Sequence, residues 1–232
     1  MISFGNERIG SVHRNGLKAN SLFFGRNLVF ATGEYPLEFT KAGTFYFTFK
    51  PGRTYSLTLC GGGGGGAVYG DVSKESGAGG GGGAKVTSKI SVQHDTIAKI
   101  VIGKGGIGGY DDGAAIGDDT FGESGGDTSI EVSDGKLSVC GGSGGYVNYD
   151  KSKKTGGSGG SSYENTGPFT NIVKTNGGAG GVNSTTGEDF TFKGGTSGLG
   201  SSSLNGRGGE WDPVYGPQYY PWNGHDGYVK IA

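Results

Sequence analysis

Between positions 44 and 60 apolar and polar residues alternate with a period of two. In Thr44-Phe-Tyr-Phe-Thr-Phe49, the rings of Phe45, Phe47 and Phe49 share one face, and Tyr46 and Thr48 share the other. In Thr54-Tyr-Ser-Leu-Thr-Leu-Cys60, Tyr55, Leu57 and Leu59 line one face, with Ser56, Thr58 and Cys60 opposite. Pro51-Gly52 between the two runs is a turn signal. A hairpin that supplies the main apolar face is therefore expected here. Further strands are predicted over 84–92, 97–102, 128–132, 136–140, 190–192 and 228–231. The three-to-four spacing of an amphipathic helix is essentially absent, so the chain reads as all-β.

The first thirty or so residues follow another rhythm. Three ten-residue units start at Ile2, Val12 and Leu22, each with a glycine near its middle (Gly5, Gly16, Gly25). Each reads as strand, turn, strand, with Asn15-Gly16 the strongest tight-turn signal. Thirty residues cannot bury a core unaided. These units are expected to lean either on the rest of the chain, as a meander, or on a partner chain. The expected division is an N-terminal β-repeat attachment region at 1–33 and a glycine-rich domain at 34–232.

Composition changes the picture at the glycines. The chain holds 55 of them in 232 residues, against a usual share of ~7%. Such a share ordinarily signals low complexity, but 11% aromatic residues and a net charge of −1 argue for a folded chain. The glycines fall into clusters at 61–66, 79–83, 105–109, 125–126, 141–145, 156–160, 177–181, 194–195 and 208–209. Their interruptions are mostly Ser or Ala, a size limit that a flexible linker does not need. Extended left-handed helices of three residues per turn direct their N–H and C=O groups sideways. Laid side by side they can bond one another, provided that no side chain separates the backbones. The expected fold is a small N-terminal β-repeat region, then a β-hairpin or sandwich base carrying a packed bundle of polyglycine helices of the polyproline II type.

Cys60 and Cys140 each end a strand-like run and are followed at once by glycines, a structural echo within the chain. Sequence leaves their pairing open, and small buried thiols are the expected state after synthesis in a reducing compartment.

The run Tyr55-Ser-Leu-Thr-Leu-Cys-Gly-Gly-Gly-Gly-Gly-Gly66 resembles the glycine-rich domain of bacteriophage tail proteins. So do Gly79-Gly-Gly-Gly-Gly-Ala-Lys-Val86 and Gly224-His-Asp-Gly-Tyr-Val-Lys-Ile231. The alternation of glycine motifs with irregular aromatic segments is similar to the distal long-tail-fibre adhesins of T-even-type phages. That resemblance implies stacked polyglycine helices whose intervening segments contact a host receptor. It also implies a place in the virion, at a tail or tail-fibre tip, after synthesis in the host cytoplasm. The N-terminal decapeptides resemble short strand repeats that open many phage appendage proteins, although the N-terminus departs from the attachment segment of the T-even adhesins.

Loops on a rigid scaffold carry recognition. The candidate segments are 67–76, 110–119, 146–155, 161–176, 182–193 and 210–223. Tyr69, Tyr110, Tyr146, Tyr149 and Tyr163 lie in them, and tyrosine gives amphipathic contact area at low entropic cost. The densest stretch, 211–222, holds Trp211, Tyr215, Tyr219, Tyr220 and Trp222, stiffened by prolines. It is read either as a binding loop or as a segment folded back to plug the apolar base.

Other chemistry is thin. Asp111-Asp112 and Asp118-Asp119 flank a short apolar segment, but their spacing is not that of a calcium loop, and a solvated acidic loop is expected. His13, His94 and His225 show no metal-ligand spacing. Lys151-Ser-Lys-Lys154 is a lone basic run, so no nucleic-acid partner is expected. No cofactor, membrane insertion or nucleophile–base pair is expected, and the chain is read as a non-enzyme. The expected function is a receptor-binding adhesin that recognises a bacterial outer-membrane protein or glycan, docked to another tail protein through residues 2–31. The three repeats suggest one copy capping a trimeric fibre. The alternatives are a structural appendage without a receptor, or an ice-binding glycine-rich protein.

Overall fold

The computed structural model describes residues 36–69, 76–111, 119–148, 153–182, 193–200, 203, 205–209 and 223–232, together with strand backbones between 2 and 31. At Tyr69, Ser76, Tyr110 and Asp111 the description is of backbone alone.

The N-terminal units are three antiparallel hairpins. They pair β1 (Ile2–Phe4) with β2 (Glu7–Ile9), β3 (His13–Arg14) with β4 (Leu17–Lys18), and β5 (Ser21–Phe24) with β6 (Asn27–Ala31). The strands that follow are β7 (Leu37–Phe39), β8 (Gly43–Phe49), β9 (Thr54–Cys60), β10 (Ala67–Tyr69), β11 (Ser76–Ala78), β12 (Lys85–Ser91), β13 (Thr96–Ile102) and β14 (Gly109–Asp111). After these come β15 (Thr120–Phe121), β16 (Thr128–Val132), β17 (Gly135–Val139), β18 (Tyr146–Val147), β19 (Lys154–Thr155), β20 (Tyr163–Asn165), β21 (Thr170–Thr175) and β22 (Tyr228–Ile231).

Two five-stranded sheets form a sandwich, ordered β21-β12-β9-β22-β7 and β20-β17-β16-β13-β8. The alternation in the sequence assigns the inward faces correctly: Phe45, Phe47, Phe49, Tyr55, Leu57 and Leu59 are all buried in one core. The pairing differs from expectation. Thr44–Phe49 and Thr54–Cys60 do not form a hairpin, because β8 bonds β13 while β9 bonds β12 and β22. The Pro51-Gly52 turn instead carries the chain from one sheet to the other, so the two apolar faces meet across the sandwich. The Phe49 and Tyr55 ring centroids lie 4.9 Å apart and those of Phe39 and Phe45 5.1 Å. Each such fully buried side chain contributes about 1.5–3 kcal/mol by leaving water. The segment 161–176, expected as a loop, is largely strand: β20 and β21 are the outer strands on one side of the two sheets. The expected strand at 190–192 lies outside the described residues.

Between the sandwich strands the chain leaves and returns as glycine runs, ten of them among the described residues. In chain order they span 61–66, 79–84, 103–108, 122–127, 141–145, 156–160, 177–181, 193–198, 206–209 and 223–227. Their hydrogen bonds repeat every third residue. Gly61, Gly62 and Gly63 donate to the second, fourth and tenth runs, and Gly64 and Gly65 return to the second and fourth. In the second run, Gly79 to Ala84 donate in turn to the seventh, ninth and fifth runs and then again in the same order, the last bond reaching Cys140 at the head of the fifth run. This is the threefold rotation of a polyproline II helix. No glycine of the first two runs has a positive φ, as that conformation requires.

The bonds also give the lattice. The first run bonds the second, third, fourth, fifth, ninth and tenth; the second bonds the first and the fifth to ninth. The remaining eight form a closed ring in chain order, each bonded to the next, and the tenth bonds the third. Ten runs so connected pack as three layers of three, four and three, with the first two at the centre. Every residue from 79 to 84 both donates and accepts, at 2.7–3.1 Å. Those bonds, at roughly 1 kcal/mol each, offset the ~0.5–1 kcal/mol excess ordering cost of each glycine.

Side chains occur where the lattice leaves room. A Cβ on Gly63 would fall on the Arg207 carbonyl, and one on Gly81 on the Ser158 carbonyl. In the outer runs one position in three faces solvent, and there the sequence places Lys104 and Ile107, Ser143, Ser158, Ala179 and Thr196. Where a neighbouring carbonyl is missing, side chains replace it. Thr128 Oγ1 accepts from Gly103 N at 3.0 Å, Asp226 Oδ1 from Gly105 N at 2.9 Å, and Asn223 Oδ1 from Gly108 N at 2.7 Å.

Candidate functional site

Successive runs point in opposite directions, so their connections alternate between two ends. At the sandwich end the chain passes through β12 and β13, β16 and β17, or β20 and β21. At the other end, hereafter the tip, lie the described residues 67–69, 76–78, 109–111, 119–121, 146–148, 153–155 and 182. Two small sheets, ordered β11-β10-β14 and β15-β18-β19, collar the bundle there. A second core of Ala67, Ala78 and Val147 fastens the collar, and a bridge from Ala78 to Val182 ties in the seventh run.

Of the candidate residues, Tyr69, Tyr110 and Tyr146 belong to this collar. Tyr69 is in β10 and Tyr110 in β14; the parallel register sets Val68 beside Tyr110 and Tyr69 beside Asp111. Tyr146 opens β18, opposite Phe121 on one side and Thr155 on the other. Tyr163 is not with them. It lies in β20 at the sandwich end, opposite Val139, with an exposed side chain. Tyr149, Trp211, Tyr215, Tyr219, Tyr220 and Trp222 lie outside the described residues, as does the question whether 211–222 plugs the base.

The described side chains of the tip centre on Tyr146. Its hydroxyl donates to Asp119 Oδ2 at 2.8 Å. Its ring lies 4.9 Å from that of Phe121 with the planes tilted by 35°. The Lys153 ammonium stands 5.9 Å from the ring centroid, within cation–π range. Phe121 is 63% exposed. Lys153 is held by the turn it closes, its N–H donating to Asn148 Oδ1 at 2.7 Å. Asp119 and Lys153 fall within the candidate segments 110–119 and 146–155, whereas Phe121 was not among the sequence candidates for recognition. The signal for Phe121 was a lone large apolar residue three positions before Ser124, in line with the solvent-facing third of the fourth run that follows it.

Elsewhere the chemistry is structural. Both cysteines are free. Cys60 is buried where β9 enters the bundle, and burial pushes its thiol up to about 12 against the opposing pull of Ser197. Cys140 is half-buried, and its Sγ accepts from Ser162 N at 3.1 Å. Among the described residues no cluster of His, Cys, Asp or Glu is arranged to hold a metal ion.

No curated protein matches the chain. The model of a glycine-rich domain matches residues 40–230, a span that contains all ten runs, the tip collar and the sandwich apart from edge strand β7 and the last residue of β22, and the chain belongs to that glycine-rich domain family.

Proposed function

We propose that the protein is a bacteriophage receptor-binding protein, an adhesin at a tail or tail-fibre tip that recognises a bacterial surface molecule. The observation that supports this reading is the polarity of the bundle. The collar strands carry Tyr69, Tyr110, Phe121 and Tyr146 at one end, while the N-terminal hairpins join the chain at the other, ahead of β7. A rigid, saturated backbone lattice holds the loop ends at fixed spacing, so sequence in the loops can change without repacking the scaffold. Preformed loops lose little freedom on binding, and several adhesins on one particle multiply a modest affinity. The N-terminal repeats at residues 2–31 then serve as the attachment to another tail protein, and binding proceeds without chemistry.

The test is adsorption of the fluorescently labelled full chain to a panel of bacteria, beside a variant in which 211–222 is replaced by a Gly-Ser stretch. The expected result is adsorption to a restricted set of hosts that the variant loses. Unchanged adsorption by the variant removes that segment as the recognition element. No adsorption by the intact chain overturns the reading and favours a structural appendage.

A further inference from the structure

The fourth, fifth and sixth runs lie in one layer over the two central runs, and this layer presents a flat side of the bundle to solvent. Gly125 N donates to Gly142 O and Ser143 N to Ser158 O, at 2.8 and 2.9 Å. These bonds set the exposed Ser124, Ser143 and Ser158 abreast across the three runs. One turn nearer the tip, about 9 Å along at ~3.1 Å per residue, stand Phe121 and Tyr146, opposite each other in β15 and β18. The result is a ledge: the exposed Phe121 ring backed by that of Tyr146, the Lys153 ammonium over the Tyr146 ring, and a row of hydroxyls one step below.

We propose that this ledge is a binding site for a bacterial surface saccharide, lying on the side of the bundle below the tip loops. The proposal rests on the adhesin reading and names the ligand class for one of its surfaces. A sugar ring has an apolar C–H face and a hydroxylated rim. The exposed Phe121 ring, propped by Tyr146, offers a plane for that face. The Lys153 ammonium, 5.9 Å from the Tyr146 ring centroid, offers a donor for rim oxygens. Each serine hydroxyl supplies one donor and two acceptor positions, spaced for the next unit of an extended chain. A protein partner fits worse, because an interface core needs clustered apolar side chains and this face exposes one such ring above hydroxyls. The ledge stands on saturated backbone, so little ordering accompanies binding.

The experiment uses the full labelled chain on cells that adsorb it, with and without periodate oxidation of the cell-surface glycans, and with and without protease treatment. Variants are Phe121→Ala, Ser143→Val and, at the far end, Tyr163→Ala; thermal melts check that each is folded. The expected result is that periodate removes adsorption, that protease does not, and that Phe121→Ala weakens it at least tenfold while Tyr163→Ala leaves it unchanged. Adsorption that survives periodate, or that folded Phe121→Ala retains in full, overturns the ledge and leaves the adhesin reading standing. Failure of the unaltered chain to adsorb to any cell overturns both.

Discussion

The N–H of Gly64 donates to the carbonyl of Gly81 at 2.9 Å, and this bond joins the two central glycine runs. Both residues lie in stretches without a single interruption, and both are enclosed by six neighbouring runs. The most glycine-rich segments of the chain are thus the most enclosed of its ten runs.

Asp226 ties the tenth run to its surroundings, with Oδ1 accepting from Gly105 N and Oδ2 from Ala42 N at 2.8 Å. Asp226→Ala strands both donors, and a half-buried loss of this kind costs about 2 kcal/mol. Asp226→Asn retains one acceptor and is expected to cost roughly half as much. Urea denaturation of the three proteins checks the order.

Tyr55 reaches back over the turn between the sheets, its hydroxyl accepting from Lys50 N at 2.9 Å. Tyr55→Phe keeps the ring packed against Phe49 and removes the hydroxyl, both as acceptor from Lys50 N and as a long donor to Lys50 O. A loss of about 1 kcal/mol is expected, measured as a shift of the urea midpoint without a change of slope.

Two groups titrate late, which makes the fold sensitive to alkali. Burial raises the Cys60 thiol from 9.0 to about 12, and burial together with the Glu38 carboxylate raises the Tyr228 phenol from 10.0 to about 12. In each case the folded chain holds the proton more tightly than the unfolded chain. Stability contributed by Cys60 is therefore complete below pH 9 and lost as pH rises toward 12; that of Tyr228 is lost from about pH 10. Melting temperatures are expected to fall across this window, and Cys60→Ala to lessen the fall at its lower end. At pH 8 a thiol reagent is expected to modify Cys140 in the native protein and to spare Cys60.

The three N-terminal hairpins suit one chain capping a threefold fibre. Native mass spectrometry of the free protein is expected to show a monomer, and a stable homotrimer contradicts the single-copy cap.

Much of this architecture is legible in the sequence, though unevenly. Alternation places Phe45, Phe47, Phe49, Tyr55, Leu57 and Leu59 on the right faces because a period of two is a local property. It says nothing about partners, and Pro51-Gly52 serves a hairpin and a crossing between sheets equally well. The interruptions of the glycine runs carry more than a size limit. Ser143, Ser158 and Ala179 are small, but Lys104, Ile107, Thr196, Arg207 and His225 are not. The governing rule is direction: an outer run needs glycine only where it faces a neighbour. The tenth run manages with Gly224 and Gly227, three apart, and so escapes a search for clusters. Tyr163 shows the same limit for the site. Its loop-like surroundings suggested the tip, but which end a connection occupies follows from counting run directions, and that count requires all ten runs.

The close-packed bundle is tested most directly by thermal melts of Gly81→Val and Ala179→Val. Both substitutions place a β-branched side chain in a glycine run. At position 81 its Cβ falls on the Ser158 carbonyl, whereas Ala179 already bears an exposed Cβ. Gly81→Val is expected to lose more than about 4 kcal/mol and with it the cooperative transition. Ala179→Val is expected to melt within about 2 °C of the parent. A Gly81→Val protein that melts with the parent contradicts the packed bundle.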